Sequence, residues 1–238
     1  MIGQDVYSGW MIRHSEDEIL DREGIPEELV ERAYQDIARI HHWLGDTRCV
    51  IRAIRRDPLA VWRVLDVGCA TGLVLHEVGL RLGVSVVGAE INPHPTIAAP
   101  VSIVQADARC DRLPAADVAY CMHLGHHLSE DDLVGVIRNV GRSCRRFIIL
   151  DLVRHPLPLA LFRLGIAPLV GRINNEDGSR SIRRSYTPTE LLRIAESALA
   201  GTRGTFRHSV APFYIRQVID ISYSGSDLEG LHQWTSPL

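Results

Sequence analysis

Apolar positions change period along the chain, and the change divides it. Over residues 26–44, Leu29, Ala33, Ile37, Ile40 and Leu44 recur at three- and four-residue spacing, which predicts a helix with one apolar face. Pro26 suits its first turn and Gly45 its stop. A second short helix is predicted over 47–56, ending before Asp57-Pro58 because a residue preceding proline avoids the helical region. From Trp62 onward, short β-branched or apolar runs alternate with longer helical patterns. Strands are predicted at 62–67, 85–90, 102–105, 117–121 and 146–151, and helices at 71–82 and 129–143. Such alternation predicts an α/β fold with a doubly wound, mostly parallel sheet. Two further strands near 203–208 and 213–219 bring it to seven.

Residues 154–186 break this rhythm. Pro156 to Val170 reads as an apolar helix or a broken pair of helices, and a polar loop follows as far as Tyr186. Thr187-Pro188-Thr189-Glu190 then has the form of a capping box with proline at the first helical position, opening a helix to about Leu199. The organisation expected is a helical cap over 1–57, a sheet domain over 58–221 with a lid or insert at 154–186, and a tail over 222–238. Residues 1–57, with the aromatic residues Tyr7, Trp10, Tyr34 and Trp43, are too few for a core of their own and are read as a cap.

Charge and composition narrow the class of partner. The 238 residues carry 26 basic and 29 acidic side chains, a formal net charge of -3, far from the basic footprint of a nucleic-acid binder. Cysteines at 49, 69, 110, 121 and 144 are scattered and form no C-x-x-C pair, so neither a disulfide framework nor a structural zinc site is expected. The first residues lack a charged and then apolar leader, and the apolar run from Pro156 is too short to span a bilayer and contains Arg163. The expectation is a cytoplasmic protein, monomer or homodimer, acting on a small molecule without nucleic acid, membrane or metal.

The chemistry concentrates in Val64-Leu65-Asp66-Val67-Gly68-Cys69-Ala70-Thr71-Gly72. A buried strand there enters a turn with two glycines and leaves as a helix. Glycine lets the backbone approach a ligand, and the helix start offers free N–H groups to an anion. The spacing D-x-G-x-x-x-G differs from the dinucleotide pattern G-x-G-x-x-G. Asp66 at the strand end would repel a diphosphate but attract an ammonium. The ligand implied carries both an ammonium and a carboxylate. A second buried strand, Val86-Val87-Gly88-Ala89-Glu90, ends in an acid eighteen residues beyond Gly72, placed to accept hydrogen bonds from ribose hydroxyls.

VLDVGCATG, VVGAEIN, the Asp107-Ala108 pair and LPAADVAYCMHLGHHLSEDDL resemble, in order over roughly residues 60–152, the motifs of class I S-adenosylmethionine-dependent methyltransferases of the small-molecule biosynthetic kind. The resemblance implies a Rossmann-like sheet and S-adenosyl-L-methionine as cofactor, leaving S-adenosyl-L-homocysteine. It implies that Asp66, Gly68, Cys69, Ala70 and Gly72 surround the methionine portion, that Glu90 binds the ribose, and that Ile91 packs on the adenine. Asp107 and Ala108 would meet the adenine edge, and Met122 and His123 would lie along the sulfonium side.

The acceptor side is written less clearly. His126 and His127 follow the fourth strand and are candidates for a base, since an unperturbed imidazole titrates near neutrality. Asp151 and His155 stand at the end of the fifth strand, and Tyr186 closes the insert. Arg180, Arg183 and Arg184 could hold a carboxylate, with Arg183 the choice among them. The expected reaction is in-line displacement by an acceptor oxygen, or less readily nitrogen or carbon, of a small hydrophobic or phenolic metabolite. Two readings compete with it. One is a non-catalytic protein that binds the cofactor, and the other is an NAD-dependent oxidoreductase, which Asp66 disfavours.

Overall fold

The structure, a computed structural model, describes residues 11–22, 24–93 and 100–224. Tyr7, Trp10 and most of the 222–238 tail lie outside them. Seven strands form one sheet: β1 (Arg63–Val67), β2 (Ser85–Glu90), β3 (Ser102–Gln105), β4 (Ala116–Met122), β5 (Cys144–Asp151), β6 (Thr205–Val210) and β7 (Gln217–Ser222). Their order is β3-β2-β1-β4-β5-β7-β6, with β7 antiparallel to both of its neighbours. The sheet is therefore mostly parallel, as the alternation predicts. Between β1 and β4 the chain reverses its direction of winding, and the crevice at such a switch point is where open α/β sheets take ligands.

Both faces of the central strands are covered, which explains their continuous apolar texture. In β5, Phe147 and Ile149 join one cluster with Leu133, Ile137, Leu191 and Ile194, while Ile148 and Leu150 join another with Val50, Ile54, Leu75 and Val78. The first cluster rests on α4 (Glu130–Val140) and α7 (Pro188–Leu199), the second on α2 (Asp46–Arg55) and α3 (Leu73–Leu82). Each fully buried Leu, Ile or Phe contributes roughly 1.5–3 kcal/mol by leaving water. Since α2 buries Val50, Ile51 and Ile54 in this core, it belongs to the sheet's own layer, and a cap boundary at residue 57 cuts through packed structure. α1 (Glu27–Leu44) lies outside both clusters and packs on α2 and on the insert, with Ala33 its one buried residue.

Local signals match several element ends. Gly45 stops α1 at φ 76°, Ser129 caps α4, and Thr187 with Glu190 closes the capping box of α7. The insert departs from expectation. After α5 (Pro156–Leu161), a π turn over Phe162–Ile166 and a 3-10 turn over Ala167–Leu169, the expected polar loop is a thirteen-residue helix, α6 (Arg172–Arg184). Its asparagines, serines and Gly178 are poor helix formers, so tertiary contacts decide it. Asn174 donates to the Ala33 carbonyl, Asp177 accepts from the N–H groups of Ile19 and Leu20, and Ser181 donates to Glu18. Gly178 lets the Phe162 ring lie against α6: a Cβ there would stand 2.3 Å from the tip of the ring, which would have to shift.

Candidate active site

The strand tips at the switch point bring the motif residues together. After β1 the turn takes left-handed conformations at Gly68 (φ 75°), Ala70 (φ 47°) and Gly72 (φ 73°), the last of which opens α3. At Gly68 a Cβ would come within 3.0 Å of Leu124, so both φ and space call for glycine. The turn is held from the second strand: Gly68 N–H donates to the Ala89 carbonyl (2.8 Å), and Ala70 N–H donates to Glu90 Oε2 (2.8 Å). Glu90 Oε1 also accepts from Asn92 N–H at 3.2 Å, which aims the carboxylate across the turn. Cys69 lies over Gly88, where a Cβ would sit 2.3 Å from its sulfur, and burial pushes its thiol far up. Its role is packing.

Asp66 is paired in register with Gly88 and Tyr120 and is 4% exposed. Burial pushes its carboxyl up to about 7; Glu90's charge adds to this, and the hydrogen bond from Tyr120 Oη (2.7 Å) opposes it. A carboxyl so disposed gains most from a cation brought beside it. Ile91, just past β2, is 46% exposed, a bare apolar face on the crevice rim. Asp107 and Ala108 follow β3, but the Asp107 carboxylate is already held by Arg109 at 2.7–3.1 Å. Met122 and His123 leave β4, and His123 adopts φ 58°.

Beyond β4 and β5, imidazoles and carboxylates alternate in one continuous array. His41 Nδ1 and His123 Nε2 face Asp46 Oδ2 at 3.2 and 3.3 Å, with the two rings stacked at 4.5 Å. His123 Nδ1 looks toward Asp151 Oδ1 at 3.8 Å, and the same oxygen takes His126 Nδ1 at 2.8 Å. His126 Nε2 faces Glu18 Oε1 at 3.4 Å, His127 Nε2 faces that oxygen at 3.8 Å, and His127 Nδ1 faces Asp21 at 3.4 Å. Burial alone would lower the His126 pKa, but Asp151 and Glu18 outweigh it and raise it to about 9. Burial likewise lifts Asp151 and Glu18, and the histidines more than reverse it, leaving both below the usual carboxylate range.

Glu18, Asp21 and Asp46 are not legible in the sequence as site residues. Glu18 is one acid among several in Ser15-Glu16-Asp17-Glu18, and nothing in that run distinguishes the one that turns inward. The segment is strapped across the β4–α4 loop by Arg13, which donates to the carbonyls of Arg184 and Leu128 and stacks over Tyr186. Asp46 stands beside His41 because the left-handed Gly45 turn folds α2 back on α1. Two sets, His41/Asp46/His123 and Glu18/His126/His127, have ligand atoms within 4.8 Å of one another, joined by folding from distant sequence.

Of the acceptor-side candidates, Asp151 is buried against His126, and His155 caps α5 and stacks on Tyr214 at 4.3 Å. Tyr186 is 1% exposed and donates its hydroxyl to the Leu128 carbonyl. Arg180 and Arg184 are paired with Asp177 and Asp21, whereas the side chain of Arg183 has no ion pair among the described residues.

No protein-family model matches the chain, and no curated protein matches its sequence. Solved structures do match its fold. The plantazolicin methyltransferase BpumL in complex with SAH is 10% identical, with a TM-score of 0.63 over 83% of this chain and 91% of that one. Human N-acetylserotonin methyltransferase in complex with SAM is 18% identical, with a TM-score of 0.58 over 88% of this chain and 63% of that one. Magnesium protoporphyrin IX methyltransferase from Synechocystis PCC 6803 with bound SAM is 13% identical, with a TM-score of 0.51 over 87% and 88%. The chain therefore has the Rossmann-like fold of class I methyltransferases. No helix among the described residues is long and apolar enough to cross a membrane.

Proposed function

We propose that this protein is an S-adenosylmethionine-dependent methyltransferase that transfers a methyl group to an oxygen of a small, apolar or phenolic acceptor. The observation that carries the reading is the β1 turn: left-handed at Gly68, Ala70 and Gly72, tied by Ala70 N–H to Glu90, and backed by a buried Asp66. The fold relatives named above, in complex with SAM or SAH, support the same cofactor.

The residues fit that group. Gly68, Cys69, Ala70 and Gly72 offer backbone to the methionine portion, and Asp66 offers a carboxyl to its ammonium. Glu90 would take the ribose hydroxyls, Ile91 one face of the adenine, and Asp107 and Ala108 its edge, with Asp107 sharing its carboxylate with Arg109. Met122 and His123 flank the sulfonium side. The bound cofactor supplies a methyl group already activated toward displacement, so the chain has mainly to orient the acceptor and exclude water.

For the acceptor, His126 is the weaker candidate for a base, because it is 3% exposed and its Nδ1 is held by Asp151 at 2.8 Å. His127, with a side chain 28% exposed, is the better placed of the pair. Tyr186, Asp151 and His155 are engaged by the fold and would act by shape, which leaves Arg183 to meet a polar group of the acceptor. Leu157, Leu161 and Leu164 on the insert are exposed and suit an apolar acceptor.

Calorimetric titration with SAM, SAH and NAD tests the reading. The expectation is binding of the two sulfur ligands, weakened by roughly 10- to 100-fold in Glu90→Ala, the loss of hydrogen bonds to a charged group. Binding of NAD alone would promote the oxidoreductase. SAM binding without turnover on a panel of phenolic acceptors would favour a non-catalytic cofactor-binding protein.

A further inference from the structure

Beyond the proposed cofactor, we propose that Glu18, His126 and His127 form a binding site for a first-row divalent cation of the zinc class, closed by the N-terminal strap over the β4–α4 loop, in which the two imidazoles serve as ligands in place of the base role considered above. Each of the three residues offers one donor atom, mutually within 4.8 Å, and Glu18 Oε1 faces the Nε2 atoms of both histidines. The separations from the carboxylate oxygen are 3.4 and 3.8 Å, longer than a direct hydrogen bond. Ligands around a tetrahedral zinc, bonded at about 2.0–2.1 Å, stand about 3.4 Å from one another. The two separations lie near that ligand–ligand spacing, so an ion could be held without large movement of the three side chains.

The surrounding residues argue the same way. A metal-bound histidine characteristically donates its other ring N–H to a carboxylate, which orients the ring and raises its basicity. Both histidines here have that partner: His126 Nδ1 meets Asp151 at 2.8 Å, and His127 Nδ1 meets Asp21 at 3.4 Å. Glu18 is oriented in turn by the Ser181 hydroxyl at 2.6 Å, which uses one lone pair of Oε1 and leaves Oε2 without a partner among the described residues. Three carboxylates, Glu18, Asp21 and Asp151, surround two imidazoles, and Arg184 offsets one charge through Asp21 at 3.4 Å. Binding must displace the proton that Asp151 and Glu18 favour on His126; once it has left, the three carboxylates give the pocket a net negative charge that suits a divalent cation.

The neighbouring set, His41/Asp46/His123, is less suited. Arg216 already stands 2.7 Å from Asp46 Oδ1, and both imidazoles converge on the single oxygen Oδ2. The two sets share Asp151 as a common neighbour, but only the strap set has a closed ring of orienting partners. Two imidazoles and one carboxylate leave at least one coordination position open, the arrangement of a catalytic rather than a structural centre.

The test is a titration of the full chain, freed of metal by chelator, with Zn²⁺ by calorimetry and with Co²⁺ by visible absorption. Neither needs the cofactor or an acceptor, so the outcome is independent of the methyltransferase reading. The expected result is one cation per chain, with a Co²⁺ spectrum of a four- or five-coordinate nitrogen–oxygen site. Binding should be lost in His127→Gln and Glu18→Gln, weakened by roughly 10- to 100-fold in Asp21→Asn, and unchanged in His41→Gln. His127 is partly exposed, so its variant should fold, and circular dichroism checks this for each protein. The proposal is overturned if the wild-type chain binds neither ion at millimolar concentration. It is equally overturned if binding survives His127→Gln and Glu18→Gln together, or is removed by His41→Gln instead.

Discussion

The two ends of the central strands handle buried charge in opposite ways. At the N-terminal end of β5, Arg146 holds Asp220 at 2.6 and 2.7 Å and Asp57 at 3.2 Å, and Arg145 adds a second contact to Asp57 at 2.6 Å. Arginine keeps its charge at every accessible pH and meets a carboxylate in a fork of parallel hydrogen bonds. Burial would raise the Asp57 carboxyl, but the Leu59 N–H and the two arginines hold it below the usual range. At the C-terminal end the partners of the carboxylates are mostly histidines, and several contacts are 3.3–3.8 Å long. One end is closed and saturated. The other retains groups that can exchange a proton, a cation or a ligand, and the glycine turn opens beside it. Stability and chemistry are thus separated along one sheet.

The largest expected effect lies at the saturated end. Arg146→Ala should destabilise the fold by about 3–5 kcal/mol in denaturant unfolding, because it takes one of two arginines from the buried Asp57 side chain and both contacts from Asp220. Binding of S-adenosylhomocysteine by the fraction still folded should be unchanged; a matching loss of affinity would show that the two ends are not separate. Next come the opposite pH responses of Asp57 and Asp66. Asp66 has a folded pKa raised to about 7. Its contribution is full below its unfolded pKa of about 3.8 and lost as pH rises toward 7. Asp57 is lowered, so its contribution is present above the unfolded pKa and lost on acidification. Asp66→Asn should flatten the fall in stability between about pH 4 and 7 and leave the acid limb intact. An unchanged profile in thermal melts would show that Asp66 titrates normally.

Smaller effects probe the turn and the helix starts. Gly68→Ala places a side chain at φ 75° against Leu124 and should cost about 1–2 kcal/mol, with a larger proportional loss of cofactor affinity. Equal losses in both would make the turn an ordinary structural one. Thr187→Ala removes one half of the α7 capping box and should cost about 1 kcal/mol without touching ligand binding.

The sheet, its first five strands and the glycine turn are legible in the sequence, because each depends on signals within a few residues; the last two strands, expected near 203–208 and 213–219, run over 205–210 and 217–222, with a 3-10 turn at Pro212–Tyr214 between them. β-branched runs mark the strands, and Gly68 and Gly72 mark a turn that only glycine tolerates easily. Thr187 and Glu190 declare the start of α7 by direct reciprocal hydrogen bonds. Local pattern misleads where long-range contacts outweigh local preference. Residues 172–184 have the composition of a loop and fold as α6, because Asn174, Asp177 and Ser181 find partners on α1 and on the strap.

The candidate site divides along the same line. Fold class and the residues of the glycine turn follow from sequence alone, since strand, turn and helix are contiguous there and their spacing is set by the backbone. Which acids meet His123, His126 and His127 is settled only by tertiary packing. Glu18 lies 108 positions before His126, Asp46 lies 77 before His123, and no local pattern couples partners so far apart. Their pairing follows from where the Gly45 turn and the Arg13 contacts lead the chain, a consequence of packing that one-dimensional spacing does not contain.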